Sequence, residues 1–103
     1  MRHIVLCTFR DDLTPSELEQ IIDDFAGLAT SVPSVSALEH GVNVSPEGLD
    51  DGFTHCFTLT FAGPAERDEY LIDPTHLAFV ERFSPTLEKI LVIDYEQSPP
   101  QEK

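Results

Sequence analysis

The chain has 103 residues, of which 41% are hydrophobic and 24% charged, a composition typical of one folded domain and not of a disordered chain. Six basic against nineteen acidic residues give a formal net charge of −13, so we expect neither nucleic acid nor an anionic membrane surface as a partner. No apolar run approaches the roughly 20 residues of a transmembrane helix, and no secretion signal opens the chain. Two Cys do not make a disulfide framework. These three features predict a cytoplasmic domain.

The first predicted elements are a strand and an amphipathic helix. Residues 2–10 contain an apolar run rich in β-forming residues, which predicts a strand buried on both faces. Thr14 and Glu17 have the spacing of a capping box, with Pro15 at the first helical position. Apolar residues then recur at three- and four-residue steps as far as Ala29, so we expect one helix that Pro33 closes.

Two further strands are predicted on either side of a polar loop. Residues 35–44 form a weaker strand with Gly41 inside it, where we expect a bulge. Residues 45–52 are rich in Gly, Pro and acidic residues and therefore predict a loop. Residues 53–61 alternate between large apolar side chains and small polar ones, which is typical of a strand.

The second half of the chain predicts two short helices, a strand and a tail. Residues 65–71 and 76–83 favour helix, and the Asp-Pro pair at residues 73 and 74 separates them. Residues 88–96 predict another strand buried on both faces, and residues 97–103 a disordered polar tail. The domain therefore spans residues 1–96.

The element order β-α-β-β-α-β predicts an α+β fold, the ferredoxin-like sandwich of a four-stranded antiparallel sheet with helices on one face. The first, third and last strands carry apolar residues at both parities, so the face without helices also needs a cover. We expect a second copy of the chain to supply it, which gives a homodimer with the two sheets packed together. The shared face is predicted to contain Ile4, Leu6, Cys56, Leu91 and Ile93.

Four segments of the sequence resemble the stress-responsive dimeric α/β-barrel (Dabb) family. They are residues 3–9, residues 52–61, residues 69–79 and the Ile-Asp-Tyr triplet at residues 93–95. The most specific piece is Tyr-Leu-Ile-Asp-Pro-Thr-His at residues 70–76, which is similar to the Tyr-x-x-His-Pro-x-His segment of that family. The resemblance covers residues 2–96 and implies the ferredoxin-like fold and a dimeric barrel. It implies less about activity, because one fold hosts many functions.

One branch of this family is a plant polyketide cyclase that closes a linear tetraketide by an aldol step and uses no cofactor. The resemblance implies that Tyr70 and His76 match its catalytic pair, and that His3 and His55 match its strand histidines. Four positions depart from the cyclase pattern. The first His of the segment, a helix Tyr and two strand Val are replaced here by Asp73, Phe25, Phe57 and Leu59, which should shrink the pocket.

Strand parity groups the residues that could carry chemistry. His3, Val5 and Cys7 share one face of the first strand, and His55, Phe57 and Leu59 share one face of the third, so we expect both histidines to line one cavity beneath the helices. Such a cavity would be completed by Phe25, Tyr70, Asp73 and His76.

In the functional interpretation, His76 is a general base and Tyr70 donates a hydrogen bond to a developing enolate oxygen. A carboxylate of Asp73 that reached the ring of His76 would raise the pKa of that imidazole and fix its tautomer. In the structural interpretation, which we favour, His76 binds backbone groups after a proline turn.

The strand histidines, His3 and His55, could orient a substrate or bind a metal together with His76. Alternatively, they are half-buried residues whose ring nitrogens bind backbone groups or water, and this is the interpretation that we favour. Three His without further ligands at recognised spacing are a weak metal signal, so we expect neither a metal nor a cofactor. Cys7 and Cys56 have opposite parities on adjacent strands, which argues against a disulfide and places Cys7 in the cavity and Cys56 at the dimer interface.

Three functions remain open at this point. The chain could be a cofactor-free small-molecule binder, or a cyclase or isomerase, with a His-Tyr cavity. It could instead be a non-catalytic structural or stress-related homodimer whose interior is filled by its own side chains. A monooxygenase-like role is the third alternative. A cavity of a few hundred Å³ would favour a ligand, and a packed interior would favour a structural role.

Overall fold

The computed structural model describes residues 1–101, which form one four-stranded antiparallel sheet with the strand order β2-β3-β1-β4. The strands are β1 (Arg2–Phe9), β2 (Ala37–Val42), β3 (His55–Thr60) and β4 (Leu87–Tyr95). The helices are α1 (Pro15–Ala26), α2 (Leu28–Ser31), α3 (Pro64–Ile72) and α4 (Pro74–Phe83), and a 3₁₀ turn at Ser84–Thr86 leads into β4. This arrangement confirms the predicted ferredoxin-like α+β fold, in which β1 and β3 are neighbours.

The first helix begins where the capping box predicts. The Glu17 backbone N–H donates to the Thr14 hydroxyl at 3.1 Å, and the Thr14 N–H donates to the Glu17 carboxylate at 3.1 Å. The helix does not continue to Ala29 as one piece, because it ends before Gly27 and restarts as α2. The hydroxyl groups of Thr30 and Ser31 donate hydrogen bonds to the Gly27 carbonyl, which also accepts from the backbone N–H groups of these two residues.

The core lies between one face of the sheet and the helices. Alternate residues of β1 and β3 are buried there, as their parity predicts. The Phe25 ring of α1 stacks on Phe57 of β3 with 4.1 Å between centroids, and Phe79 and Phe83 of α4 pack within 5.2 Å of Phe25. This aromatic cluster fills the middle of the interior.

The other face of the sheet is open and apolar. Leu91 is 43% exposed and Ile93 is 53% exposed, while Ile4, Leu6 and Cys56 are partly buried. All five residues lie on the face that we expect a second copy to cover.

Two predictions about the strands differ from what the single chain shows. Strand β4 is not buried on both faces in the single chain, because Ile90 and Val92, on the helix side, are also about half exposed on an edge strand that pairs only with β1. Gly41 does not form a bulge, since the β2–β3 register runs without a shift; the shift lies between Thr8 and Phe9, in the β1–β4 pairing.

Residues 96–101 have no helix or strand and are exposed, and the last two positions of the expected tail, 102 and 103, lie outside the described residues. The start of the tail contacts the residue before β1, where the N-terminal ammonium of Met1 donates a hydrogen bond to the side-chain oxygen of Gln97 at 3.2 Å. Within residues 1–101, none of the helices has the length and apolar character needed to cross a membrane.

Candidate functional site

Three polar rings from three different elements meet at one end of the core. His3 of β1 is buried on the helix side of the sheet, Tyr70 of α3 is 1% exposed, and His76 of α4 is half-buried. The Tyr70 ring lies 3.9 Å from the His76 ring and 5.7 Å from the His3 ring, centroid to centroid. The structure therefore brings together Tyr70, His76 and one of the two strand histidines.

The turn between α3 and α4 places His76 against Tyr70. Pro74 cannot continue α3, and Asp73 becomes the N-cap of α4, where its carboxylate accepts from the backbone N–H of Thr75 at 2.8 Å and of His76 at 3.4 Å. The carboxylate of Asp73 is thus bound to backbone groups, and the ring of His76 donates no hydrogen bond to it.

His76 carries a buried nitrogen that no described residue satisfies. Its Nδ1 is inaccessible to solvent and has no hydrogen-bond partner within residues 1–101. Burial lowers the pKa of His76 below its usual 6.5, although the nearby Leu71 carbonyl and Asp73 carboxylate act in the opposite direction. The condition for a rise in this pKa, a contact between Asp73 and the ring, is therefore not met, and burial favours the neutral imidazole of His76.

His3 belongs to a chain of hydrogen-bonded polar side chains. Its Nδ1 lies 2.5 Å from one carboxylate oxygen of Asp94, and the other oxygen accepts from Arg67 Nη1 at 2.6 Å. Partial burial opposes ionisation of Asp94, but the hydrogen bonds from Arg67 and His3 outweigh it and lower the pKa of this carboxyl. An ionised Asp94 accepts the Nδ1 proton of His3, which leaves Nε2 as the nitrogen without a proton in neutral His3.

Sequence reasoning did not find Asp94 or Arg67. A signal for Asp94 existed, because it is the only charged residue among the last five of an apolar strand and shares the helix-side parity of Ile90 and Val92. The register places Asp94 directly opposite His3. Arg67 precedes Tyr70 by three residues on α3, which puts both on one side of that helix.

His55 does not join this group. In the sheet His55 pairs with Cys7 and His3 pairs with Leu59, so the two histidines lie four residues apart along the strands, about 13 Å at the usual rise. The buried side chains of Phe57 and Leu59 occupy the same face between them. The prediction that His3 and His55 line one cavity is therefore wrong.

At its own end of the sheet, His55 packs edge-on against Phe9 at 4.9 Å, and its Nδ1 lies 2.8 Å from the Thr54 hydroxyl. Burial lowers the pKa of His55. His55 is thus half-buried, as in the structural interpretation, but its partner is a side-chain hydroxyl and not the backbone or water.

Of the small residues predicted near the site, Val5 and Cys7 are both buried in the core. Burial raises the pKa of Cys7 to about 12, so its thiol is protonated and unreactive at neutral pH. Cys56 lies on the open face, and both cysteines are free, as their parities predict.

Two grooves lie away from the three rings. One, of about 610 Å³, lies against the open face of the sheet beside the loop between β2 and β3, where Leu6, Cys56 and Leu91 line it. The other, of about 490 Å³, separates α1 and α4 near Asp24 and Arg82. Neither includes His3, Tyr70 or His76. Within residues 1–101, no group of three or more His, Cys, Asp or Glu side chains has the geometry to hold a metal ion.

Comparison with known proteins gives a consistent family. The model of the stress responsive A/B barrel domain family, Dabb, matches residues 1–97. The chain is 36% identical to the Arabidopsis thaliana stress-response A/B barrel domain-containing protein HS1, over 92% of this chain and 87% of that protein. It is 25% identical to olivetolic acid cyclase from Cannabis sativa, over 92% of this chain and 94% of the cyclase.

Solved structures agree with the fold. A hydroxynitrile lyase from Passiflora edulis superposes with a TM-score of 0.88 at 32% identity, covering 96% of this chain and 95% of the lyase. A dimeric ferredoxin-like protein of unknown function from Thermobifida fusca superposes with a TM-score of 0.72 at 25% identity, covering 89% of this chain and 85% of that one.

Proposed function

The chain belongs to the stress responsive A/B barrel (Dabb) family, and we propose that it is a cofactor-free catalyst of proton transfer on a small carbonyl compound. His76 is the base, Tyr70 the hydrogen-bond donor, and His3 with Asp94 orients the substrate. Two of its relatives are named for reactions, as olivetolic acid cyclase and hydroxynitrile lyase, which supports an enzyme of the cyclase or lyase type.

The unpartnered Nδ1 of His76 carries this proposal. A buried polar atom without a partner costs about 1–3 kcal/mol, and native proteins keep few of them. Asp73 caps the turn through the backbone N–H of His76, and the ring Nδ1 has no hydrogen-bond partner of normal geometry among the described residues, although the backbone of Leu71 and Tyr70 lies beside the ring. A polar ligand group that forms a hydrogen bond with this atom would satisfy it.

The chemistry follows from the protonation states. Neutral His76 removes a proton from the carbon next to a carbonyl, and the electron pair of that C–H bond moves onto the carbonyl oxygen. Burial raises the pKa of Tyr70, so its hydroxyl keeps its proton and donates a hydrogen bond to the enolate oxygen. The enolate carbon then takes the proton back from His76, or it attacks a second carbonyl. In the second case the oxygen of the attacked carbonyl takes the proton from His76.

The proposal is tested by ligand-induced thermal shifts. A panel of enolisable ketones, cyanohydrins and phenolic acids is screened against the native chain, since a ligand that binds only the folded state raises its melting temperature. We expect a compound that stabilises the native protein and not His76→Ala. His40→Ala is the matched control, because His40 is exposed on β2 and should leave the shift intact. An equal shift in all three proteins would contradict a site at His76.

A second candidate function is supported by the packed interior. The stack of Phe25 on Phe57 and the near-complete burial of Leu59 leave the middle of the core filled, which favours a structural or stress-related role in which no ligand enters. In that case no compound in the panel shifts the melting temperature, and His76→Ala lowers it in the absence of ligand.

Both candidates share one assembly, a homodimer through the open face of the sheet. The half-exposed Leu91 and Ile93 support it, as does the dimeric state named for the Thermobifida fusca protein. Sedimentation equilibrium at micromolar concentration should give twice the chain mass of 11.5 kDa, and Leu6→Asp should split or unfold the dimer by placing a charge in the interface. A native species of 11.5 kDa would refute this assembly.

A further inference from the structure

Arg67 contacts the proposed site only through another residue. Its Nη1 donates to Asp94 at 2.6 Å, and its Nε donates to Asp68 at 2.9 Å, so the guanidinium is held between two carboxylates. The side chain of Arg67 is 22% exposed, whereas that of Asp68 is 66% exposed. The ion pair with Asp94 is therefore the more buried of the two.

The carboxylate of Asp94 is divided between two partners. One oxygen binds Arg67 and the other binds Nδ1 of His3, so both oxygens are committed and the plane of the carboxylate is fixed. Without the guanidinium, a carboxylate with this degree of burial is free to turn its charge towards water. His3 would then lose the acceptor that selects its Nδ1–H tautomer.

We propose that Arg67 is a positioning residue, which aligns Asp94 so that His3 keeps its Nδ1 proton and presents an unprotonated Nε2. The arrangement runs from α3 through β4 to β1, and it couples the outer surface of α3 to the three-ring cluster. It rests on the proposed function only in assigning a role to Nε2; the tautomer itself is a property of the ligand-free protein.

The consequence is a defined hydrogen-bonding pattern at the site. In neutral His3 with the Nδ1–H bound to Asp94, Nε2 can only accept a hydrogen bond, so it suits a hydroxyl or another proton donor on the substrate. With two equally populated tautomers, half of the molecules would present a donor instead. Arg67 thereby determines which chemical groups His3 can orient.

The test is a ¹⁵N NMR spectrum of the histidine ring nitrogens at pH 7.5 without ligand. In the native protein we expect two well-separated ring nitrogen signals for His3, with Nδ1 protonated. In Arg67→Met, which keeps much of the stem and removes the charge, we expect the two signals to move together because the tautomers exchange. Arg67→Lys should restore much of the separation, since it returns a cation to Asp94.

A control variant and a substitute variant complete the experiment. Arg10→Met removes an arginine from another ion pair with an aspartate, that with Asp12, and should leave the His3 signals unchanged. Arg67→Gln replaces Arg67→Met if the latter does not fold, as judged by circular dichroism. Unchanged His3 signals in a folded Arg67 variant would overturn the proposal.

A catalytic readout separates this proposal from the proposed function. If the native protein exchanges the α-protons of a ketone, Arg67→Met should lower kcat/KM, because only part of the molecules then present the Nε2 acceptor of His3 to the substrate. Absence of exchange in the native protein would contradict the proposed function, whereas an unchanged ¹⁵N pattern or an unchanged kcat/KM in Arg67→Met would contradict the role of Arg67.

Discussion

Replacing His76 with Phe should stabilise the protein and remove its ligand response. The Phe ring keeps the stacking position 3.9 Å from Tyr70 but has no nitrogen to leave unsatisfied. A buried polar atom without a partner costs about 1–3 kcal/mol, and because the His76 ring is only half-buried we take the lower end, about 1 kcal/mol. The free energy of unfolding at pH 7.5 should therefore rise by about that amount.

The gain from His76→Phe should grow in acid. Burial lowers the pKa of His76 in the folded state below 6.5, so between the two values the unfolded chain binds more protons. Stability rises with pH wherever the unfolded state binds more protons, and it is therefore lost as the pH falls below 6.5. The variant lacks this loss, and its advantage should widen by at most about 1.4 kcal/mol per pH unit below 6.5.

Urea unfolding followed by circular dichroism at pH 7.5, 6.0 and 5.0 measures both effects, at one fixed protein concentration because a dimer is expected. His40→Phe is the control, because it replaces an exposed histidine on β2 by a ring that can keep the stacking on Phe57, 5.5 Å away, and it should change stability by less than about 0.5 kcal/mol. A variant less stable than the native protein at pH 7.5, or a gain that is the same at all three pH values, would refute the assignment of His76 as a buried, unsatisfied base.

Three further changes test the frame around the site. Asp94→Asn should lower the free energy of unfolding, measured in urea, by about 2 kcal/mol, because it weakens two charge-assisted hydrogen bonds. The control Asp68→Asn, at an exposed carboxylate, should change it by less than about 0.5 kcal/mol. Equal effects of the two substitutions would show that Asp94 is not the buried partner. Phe57→Ala should cost about 3–5 kcal/mol by calorimetry or urea unfolding, since its ring is buried against Phe25, and a loss below 1 kcal/mol would contradict the packed core. Deleting residues 98–103 should leave the melting temperature nearly unchanged, because residues 98–101 are exposed, and a fall of several degrees would mean that the tail docks.

Local patterns were sufficient to predict most of the fold. The capping box at Thr14, the alternation through β3 and the proline at residue 74 each determine structure over a few residues, and each appears where it was predicted. Burial of β4 could not be predicted in this way. Its apolar residues occur at both parities, but an edge strand with one neighbour stays exposed until a second chain covers it.

The site was predicted in part, for a physical reason. Parity gives the face of a strand on which a residue lies but not its position along that face, so His3 and His55 share a face and still lie at opposite ends of it. The partner of His3 depends on the β1–β4 register, which joins residues 91 positions apart in the chain. The role of Asp73 as a cap follows from its position before Pro74, and in this role its carboxylate binds backbone N–H groups and not the His76 ring.

Exchange of α-protons for deuterium tests the central claim most directly. The native protein is incubated in deuterated buffer at neutral pH with a panel of small enolisable ketones, and loss of the α-proton signal is followed by ¹H NMR. We predict exchange above the buffer rate with at least one ketone, abolished in His76→Phe, reduced in Tyr70→Phe and unchanged in His40→Phe. Exchange that persists undiminished in His76→Phe, or no exchange above buffer with any ketone, would contradict the assignment of this site as an acid–base catalyst.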